Sequence, residues 1–349
     1  MCETSTGGSV VKTRLLAETD EQAWDHFVAT RPNATAYHQI GWKKVIEQAF
    51  GHRTYYLLAE DEQQAITGIL PLVHLESIIF GSYMISLPFF NYGGCCSDDP
   101  ESAGKLIQAA VELGQRNGAT HIEFRDQTPG EQGFPVKTSK VAMLLGLPER
   151  AEQMWEAFDP KLRSQIRKPQ KEALFTKVGG KSELDSFYTV FSANMRDLGT
   201  PVYSKRFFEL ILETFPASTW ICTVYNDHQV PLASGFLVEF KGVVEIPWAS
   251  SLREYSRQSP NMLLYWMALK YSCERGAKVF DFGRSSPGSG TYKFKEQWGA
   301  HPKQLYWHYW LRDGGPLPEL NPNNPKYQLA INVWKKLPIA LTTWKISYN

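Results

Sequence analysis

Apolar and polar positions along the chain fall into two repeated runs. Residues 55–73, YYLLAEDEQQAITGILPLV, place two apolar segments around a polar turn, and residues 220–240, WICTVYNDHQVPLASGFLVEF, do the same. Both patterns predict an antiparallel hairpin. Further along, GATHIEF at 118–124 aligns without a gap to GAKVFDF at 276–282. Each comes after a helical pattern that ends in a basic residue just before glycine, so each reads as helix, glycine cap and buried strand. The shared order predicts a duplicated unit.

In the second half the pattern predicts helices over about 151–168, 182–197 and 204–215, then strands near 218–225, 232–240 and 243–250. A buried helix at 261–275, a strand at 278–284, a short helix at 290–298 and a strand at 303–311 complete it. Helices leading into an antiparallel meander, then helix, strand, helix and strand, is the order of the acyl-CoA N-acyltransferase (GNAT) fold. The expected class is therefore α/β of the α+β kind: two tandem GNAT-like domains with mixed, mostly antiparallel sheets flanked by helices. Residues 1–150 form the first, a degenerate repeat, 151–317 the second with the candidate site, and 318–349 a helical tail. The tail pattern breaks at Pro338 and is expected to pack on the second domain. Its alternative is contact with a membrane surface through Trp334, Lys335, Lys336, Trp344 and Lys345.

Composition narrows the function classes. The 349 residues fit two domains, and a formal net charge of +1 lacks the basic excess of a nucleic-acid binder, so no DNA partner is expected. Any anion site must be local. Five scattered cysteines without a CxxC pair, and an N-terminus without an apolar signal core, point to a reducing cytoplasm. Adjacent Cys95 and Cys96 lack a second ligand cluster, so they read as packed thiols and no metal is expected. The apolar 67–94 region contains His74 and Glu76 and breaks at Gly81 and Pro88, which suits strands rather than a membrane span.

Candidate chemistry concentrates in residues 280–300, FDFGRSSPGSGTYKFKEQWGA. Gly283 and Gly288 have Walker spacing, but Ser289 stands where the phosphate-binding lysine belongs. A dinucleotide fingerprint beginning at Gly288 and Gly290 would need its third glycine at Lys293. The connection where a CoA diphosphate would sit, SLREYSRQSPN at 251–261, has no glycine, although Ser259 and Pro260 read as N-cap and first helical residue. The residues just after the glycines are more telling. On a short helix Tyr292 and Lys295 share a face while Phe294 and Trp298 anchor another, which sets Lys295 to meet developing negative charge.

Asp281, on the strand feeding this loop, would orient Lys295 or take a proton from an amine; the alternative is a salt bridge with Arg284. Arg284 with Gly288 and Gly290 would hold a phosphate or carboxylate. Glu245 in VEIPWASS is a second base candidate on an apolar strand, or an exposed edge residue. In KLRSQIRKPQK, Arg163 and Arg167 flank the core stripe of Trp155, Phe158, Leu162 and Ile166, as an anion clamp or as a solvated face, before Pro169 ends or kinks the helix.

Together with HQIGWKKVIEQAFGHRTYYLLAE, FNYGG, RSQIRKPQK, NMRDLGTPVYSKRFF and VEIPWASSLREYSRQSPNMLLYW, this stretch makes residues 37–340 resemble the FemAB-related proteins of PEP-CTERM/exosortase and exopolysaccharide loci. That group is similar to the Fem aminoacyltransferases, which carry two GNAT-like domains and transfer an aminoacyl group from aminoacyl-tRNA to an amine of a peptidoglycan precursor. FKEQWG resembles the Fem FKxxFG element and implies that Lys295 faces the reacting carbonyl. RSQIRK resembles RxxIRxA, which implies anion anchoring by Arg163 and Arg167, and Asp98 comes after NYGG where Fem proteins have a GPxxD-like loop. Two departures stand out: the coiled-coil arm is absent, and Ile46 replaces the first-domain lysine that meets nucleotide phosphates.

The resemblance implies an N-acyltransferase that transfers an acyl or aminoacyl group to an amine of a cell-envelope or exopolysaccharide precursor. No cofactor is required beyond the donor, for which acyl-CoA and aminoacyl-tRNA stay open. The acceptor would be a small molecule or a lipid-linked glycan or peptide, met in the cytoplasm or at the inner membrane face with peripheral contact at most. The alternatives are an acyl-CoA-dependent N-acetyltransferase and a non-catalytic scaffold component of exopolysaccharide or PEP-CTERM protein export.

Overall fold

A computed structural model describes residues 11–77, 81–130 and 133–318; the tail expected beyond residue 318 lies outside them. The first half runs β1 (Lys12–Leu15), α1 (Glu21–Thr30), α2 (Gly41–Phe50), β2 (Arg53–Glu60), β3 (Ile66–Ser77), β4 (Gly81–Ile85), β5 (Cys96–Ser97), α3 (Pro100–Arg116), β6 (His121–Asp126), β7 (Val136–Lys137) and β8 (Val141–Gly146). The second runs α4 (Ala151–Ala157), α5 (Pro160–Lys171), β9 (Phe175–Gly179), α6 (Leu184–Leu198), α7 (Lys205–Thr214), β10 (Thr219–Tyr225), β11 (Pro231–Phe240), β12 (Val243–Ser251), α8 (Pro260–Glu274), β13 (Val279–Ser285), α9 (Gly290–Glu296), β14 (His301–Gln304) and β15 (Tyr306–Leu311). Both expected hairpins form, as β2–β3 and β10–β11.

Two sheets result, in the orders β1-β2-β3-β4-β6-β15-β7, with β5 beside β3, and β14-β8-β13-β12-β11-β10-β9. The halves exchange one strand each. β8 of the first half lies between β13 and β14, and β15 of the second lies between β6 and β7. Sheet membership therefore crosses the boundary expected at residue 150. The single strand expected over 303–311 is two strands in different sheets, because the chain passes between sheets at the buried Leu305. The helix expected over 151–168 is also two. Pro160 lacks the N–H to continue α4, and Asp159 restarts the chain by accepting from the Lys161 N–H at 2.8 Å. Pro169 does not end α5, which runs on to Lys171.

One hydrophobic cluster spans both halves, joining Trp24, Tyr37 and Trp42 to Phe187, Phe207 and Trp248. Each such side chain contributes about 1.5–3 kcal/mol by leaving water, so the halves are held as one body. Helices α2 and α7 approach so closely that a Cβ at Gly41 would lie 2.6 Å from the Thr214 side chain. No described helix is long and apolar enough to cross a membrane.

Candidate active site

Strands β12 and β13 are parallel but pair at only three positions, Val243↔Val279, Val244↔Phe280 and Glu245↔Asp281. Beyond the last pair they part, and residues 246–250 and 282–284 line a cavity of about 350 Å³. Strands that stop pairing leave backbone polar groups facing that space. The parallel register sets the Glu245 and Asp281 carboxylates side by side at the head of the split. Both are buried, at 5% and 2% exposure, so the exposed-edge alternative for Glu245 falls away.

Partners from the first half cap these acids. Tyr37 Oη donates to Glu245 Oε2 at 2.6 Å and Asn91 Nδ2 donates to Oε1 at 3.0 Å. Tyr92 Oη donates to Asp281 Oδ2 at 2.5 Å, and the Gly283 N–H donates to Oδ1 at 2.7 Å. Asp281 thus takes its hydrogen bonds from Tyr92 and Gly283, not from Arg284. Burial, then the neighbouring Asp281 charge, pushes the Glu245 carboxyl up to about 8. Burial also raises Asp281, against the Tyr92 and Gly283 hydrogen bonds that favour its ionised form.

Lys295 is placed by a short helix and a bulge. Ser289 caps α9 by accepting from the Tyr292 N–H at 3.2 Å, while Phe294 and Trp298 pack with Tyr265. The β13–β8 register shifts between Asp281 and Arg284, and Gly283 within that bulge has φ +74°. Such a backbone suits glycine. The bulge aims two carbonyls at Lys295, whose Nζ donates to Gly283 O at 3.0 Å and to Arg284 O at 2.9 Å. Burial lowers the Lys295 pKa to about 8, although the Asp281 and Glu245 charges pull it up. An ammonium whose hold on its proton is weakened by burial therefore borders the cavity, with the two acids behind it.

Of the expected site residues, Lys295 and Arg284 line the cavity, and Glu245 and Asp281 stand behind its wall. Tyr292 is half-buried against the second-half core. Gly288, on the loop before α9, and Gly290, the first residue of α9, are exposed and do not line the cavity. Arg163 and Arg167 lie on α5 and do not line it, with the Arg167 guanidinium 5.2 Å over the Trp155 ring. Asp98 pairs with Arg31, its Oδ2 accepting at 2.7 Å, and borders a different cavity with Asn33 and Asp126. Ser259 has φ 55° and its side chain caps nothing, contrary to the cap expected there. Tyr37, Asn91 and Tyr92 were not among the expected residues. Their signal in the sequence is the FNYGG stretch and the Tyr37-His38 pair before it, polar groups inside apolar surroundings.

Similarity to known proteins agrees with this fold. Residues 160–296 match the family model described as "Acetyltransferase (GNAT) domain". No curated protein matches the chain. Among solved structures, FemX aligns at 14% identity over 92% of this chain and 100% of its own, with a TM-score of 0.63. The C-terminal domain of a putative lysylphosphatidylglycerol synthetase from Agrobacterium fabrum aligns at 13% identity over 83% and 92%, with a TM-score of 0.57. A tandem GNAT protein from the clavulanic acid biosynthesis pathway aligns at 11% identity over 88% and 100%, with a TM-score of 0.55. The chain has the tandem GNAT fold: two mostly antiparallel mixed sheets flanked by helices.

Proposed function

We propose that the protein is an N-acyltransferase that moves an acyl or aminoacyl group from an ester or thioester donor to a primary amine. One observation carries the reading: Lys295, with its pKa near 8, borders the cavity opened by the parting of β12 and β13. The amine nitrogen bonds to the donor's carbonyl carbon, and the Lys295 ammonium faces the oxyanion that forms. As the C–O or C–S bond breaks, Lys295 gives its proton to the leaving group and takes the surplus proton of the new ammonium. A pKa near the working pH favours both transfers. Glu245 and Asp281 act through Lys295 as positioning residues, since neither lines the cavity.

An aminoacyl ester is favoured over acyl-CoA as donor. The 251–261 connection, where backbone N–H groups would meet a diphosphate, holds a 3₁₀ turn at Arg253–Gln258 and no glycine. For the acceptor, the FemAB-like motifs support a primary amine. The cavity and the cations on its wall count against a pure scaffold role. Mass spectrometry of cells with and without the protein tests the reading. An acylated amine that appears only with the wild type, and not with Lys295→Ala, is expected, and no such product would refute it.

A further inference from the structure

Arg284 borders the cavity beside Lys295, and its guanidinium meets no hydrogen-bond acceptor among the described residues. It lies 5.2 Å over the Trp307 ring, and Arg125 lies 4.5 Å over the same ring. The two cations differ. Arg125 is paired with Glu123 at 2.7 Å and also donates to the Phe90 carbonyl, whereas Arg284 has only the ring and the cavity. A ring face orients a guanidinium without using its N–H donors, which leaves the planar fork free for a bidentate oxyanion.

The remaining wall is mostly apolar: Phe89, Phe191, Met195, Leu198, Tyr203 and Trp248. Its two amides each spend one N–H within the wall, Asn91 on Glu245 Oε1 and Asn194 on Ser250 Oγ. An apolar body with one anionic end matches both features, the aromatic wall and the free guanidinium fork. A volume of about 350 Å³ is enough for one small molecule.

We infer that the acceptor is a free α-amino acid with a bulky apolar side chain, its carboxylate on Arg284, its amine toward Lys295 and its side chain against the aromatic wall. The inference rests on the proposed N-acyl transfer for the role of the amine. Its product is an N-acyl amino acid: the new bond joins the amino nitrogen to the acyl carbon, and the donor alcohol or thiol leaves with the displaced proton.

Isothermal titration of the full chain, without donor, tests this with L-phenylalanine, L-phenylalanine amide and 3-phenylpropanoate. The acid should bind roughly ten- to a hundredfold more tightly than the amide, the range for a hydrogen bond to a charged group. 3-Phenylpropanoate should bind as well, Arg284→Gln should erase the preference for acid over amide, and Arg284→Lys should keep part of it. Equal binding of acid and amide, no binding of any of the three, or tighter binding of glucosamine would overturn the proposal. Stronger competition by inorganic phosphate than by 3-phenylpropanoate would overturn the carboxylate assignment. Because no donor is present, a protein that discriminates acid from amide yet fails to transfer would count against the transfer reading alone.

Discussion

Glu123 and Asp281 occupy equivalent places in the two halves. Each lies at the last pair of its sheet's parallel strands, Ile85↔Glu123 in β4–β6 and Glu245↔Asp281 in β12–β13. Their surroundings differ two residues on. Arg125 pairs with Glu123 at 2.7 Å, while Gly283 offers Asp281 only its N–H. Burial pushes Glu123 up, but the Arg125 charge and the Tyr309 hydroxyl outweigh it and hold the carboxyl low. Asp281 stays raised beside a second acid, where the first half has Ile85. One half pairs its buried carboxylate with an arginine, and the other leaves it beside a second acid, near enough to Lys295 for the charges to interact.

Gly283 is the hinge of that difference. Gly283→Ala places a side chain at φ +74°, a left-handed conformation that costs an L-residue about 1–2 kcal/mol. Urea unfolding should show a loss of that size, together with an altered Lys295 pKa, because the two carbonyls that anchor its Nζ belong to the bulge. Unchanged stability would mean that the bulge is not a constraint.

Removing a tyrosine hydroxyl should cost more in the second half than in the first. Tyr92→Phe takes a hydrogen bond from the buried Asp281 and should destabilise by about 1.5–3 kcal/mol. Tyr309→Phe leaves Glu123 still paired with Arg125 and should cost less. Chemical denaturation of the two variants at one pH gives the ranking, and the reverse order would contradict it.

The site should make stability depend on pH with a minimum near 8. Glu245 has its folded pKa raised to about 8 from 4.5, so the folded state holds the extra proton and stability falls as pH rises across that window. Lys295 has its folded pKa lowered to about 8 from 10.5, so the unfolded state holds the extra proton and stability rises between 8 and 10.5. Denaturation midpoints measured across pH should show both slopes. Glu245→Gln should flatten the acid limb and Lys295→Met the alkaline limb; a limb that persists in its variant has another source.

Strand exchange should prevent either half from folding alone. A fragment of residues 147–318 lacks β8, which lies between β13 and β14, and leaves β15 without β6. Circular dichroism of this fragment should show no cooperative thermal transition, whereas a folded fragment would show that the exchanged strands are dispensable.

Much of this architecture is legible in residue order. The GATHIEF and GAKVFDF repeat, the two hairpins and the short helix carrying Lys295 are set by local periodicity and glycine placement. The strand exchange is not, because Val141–Gly146 reads as an apolar strand whichever sheet receives it. The tyrosine caps are likewise invisible locally: Tyr37 reaches Glu245 across 208 residues of chain and Tyr92 reaches Asp281 across 189. Arg163 and Arg167 lie on α5 and do not line the cavity beside Lys295, a separation that the local basic pattern does not reveal.

The most direct measurement is the rate of acyl transfer by purified wild type and Lys295→Ala, with folding of each confirmed by circular dichroism. Aminoacyl-tRNA as donor and an apolar amino acid as acceptor supply the reaction. Loss of one oriented cation from a transition state typically lowers turnover about 10²–10³-fold, and that drop is expected. Wild-type turnover by a folded Lys295→Ala variant would contradict the assignment of Lys295.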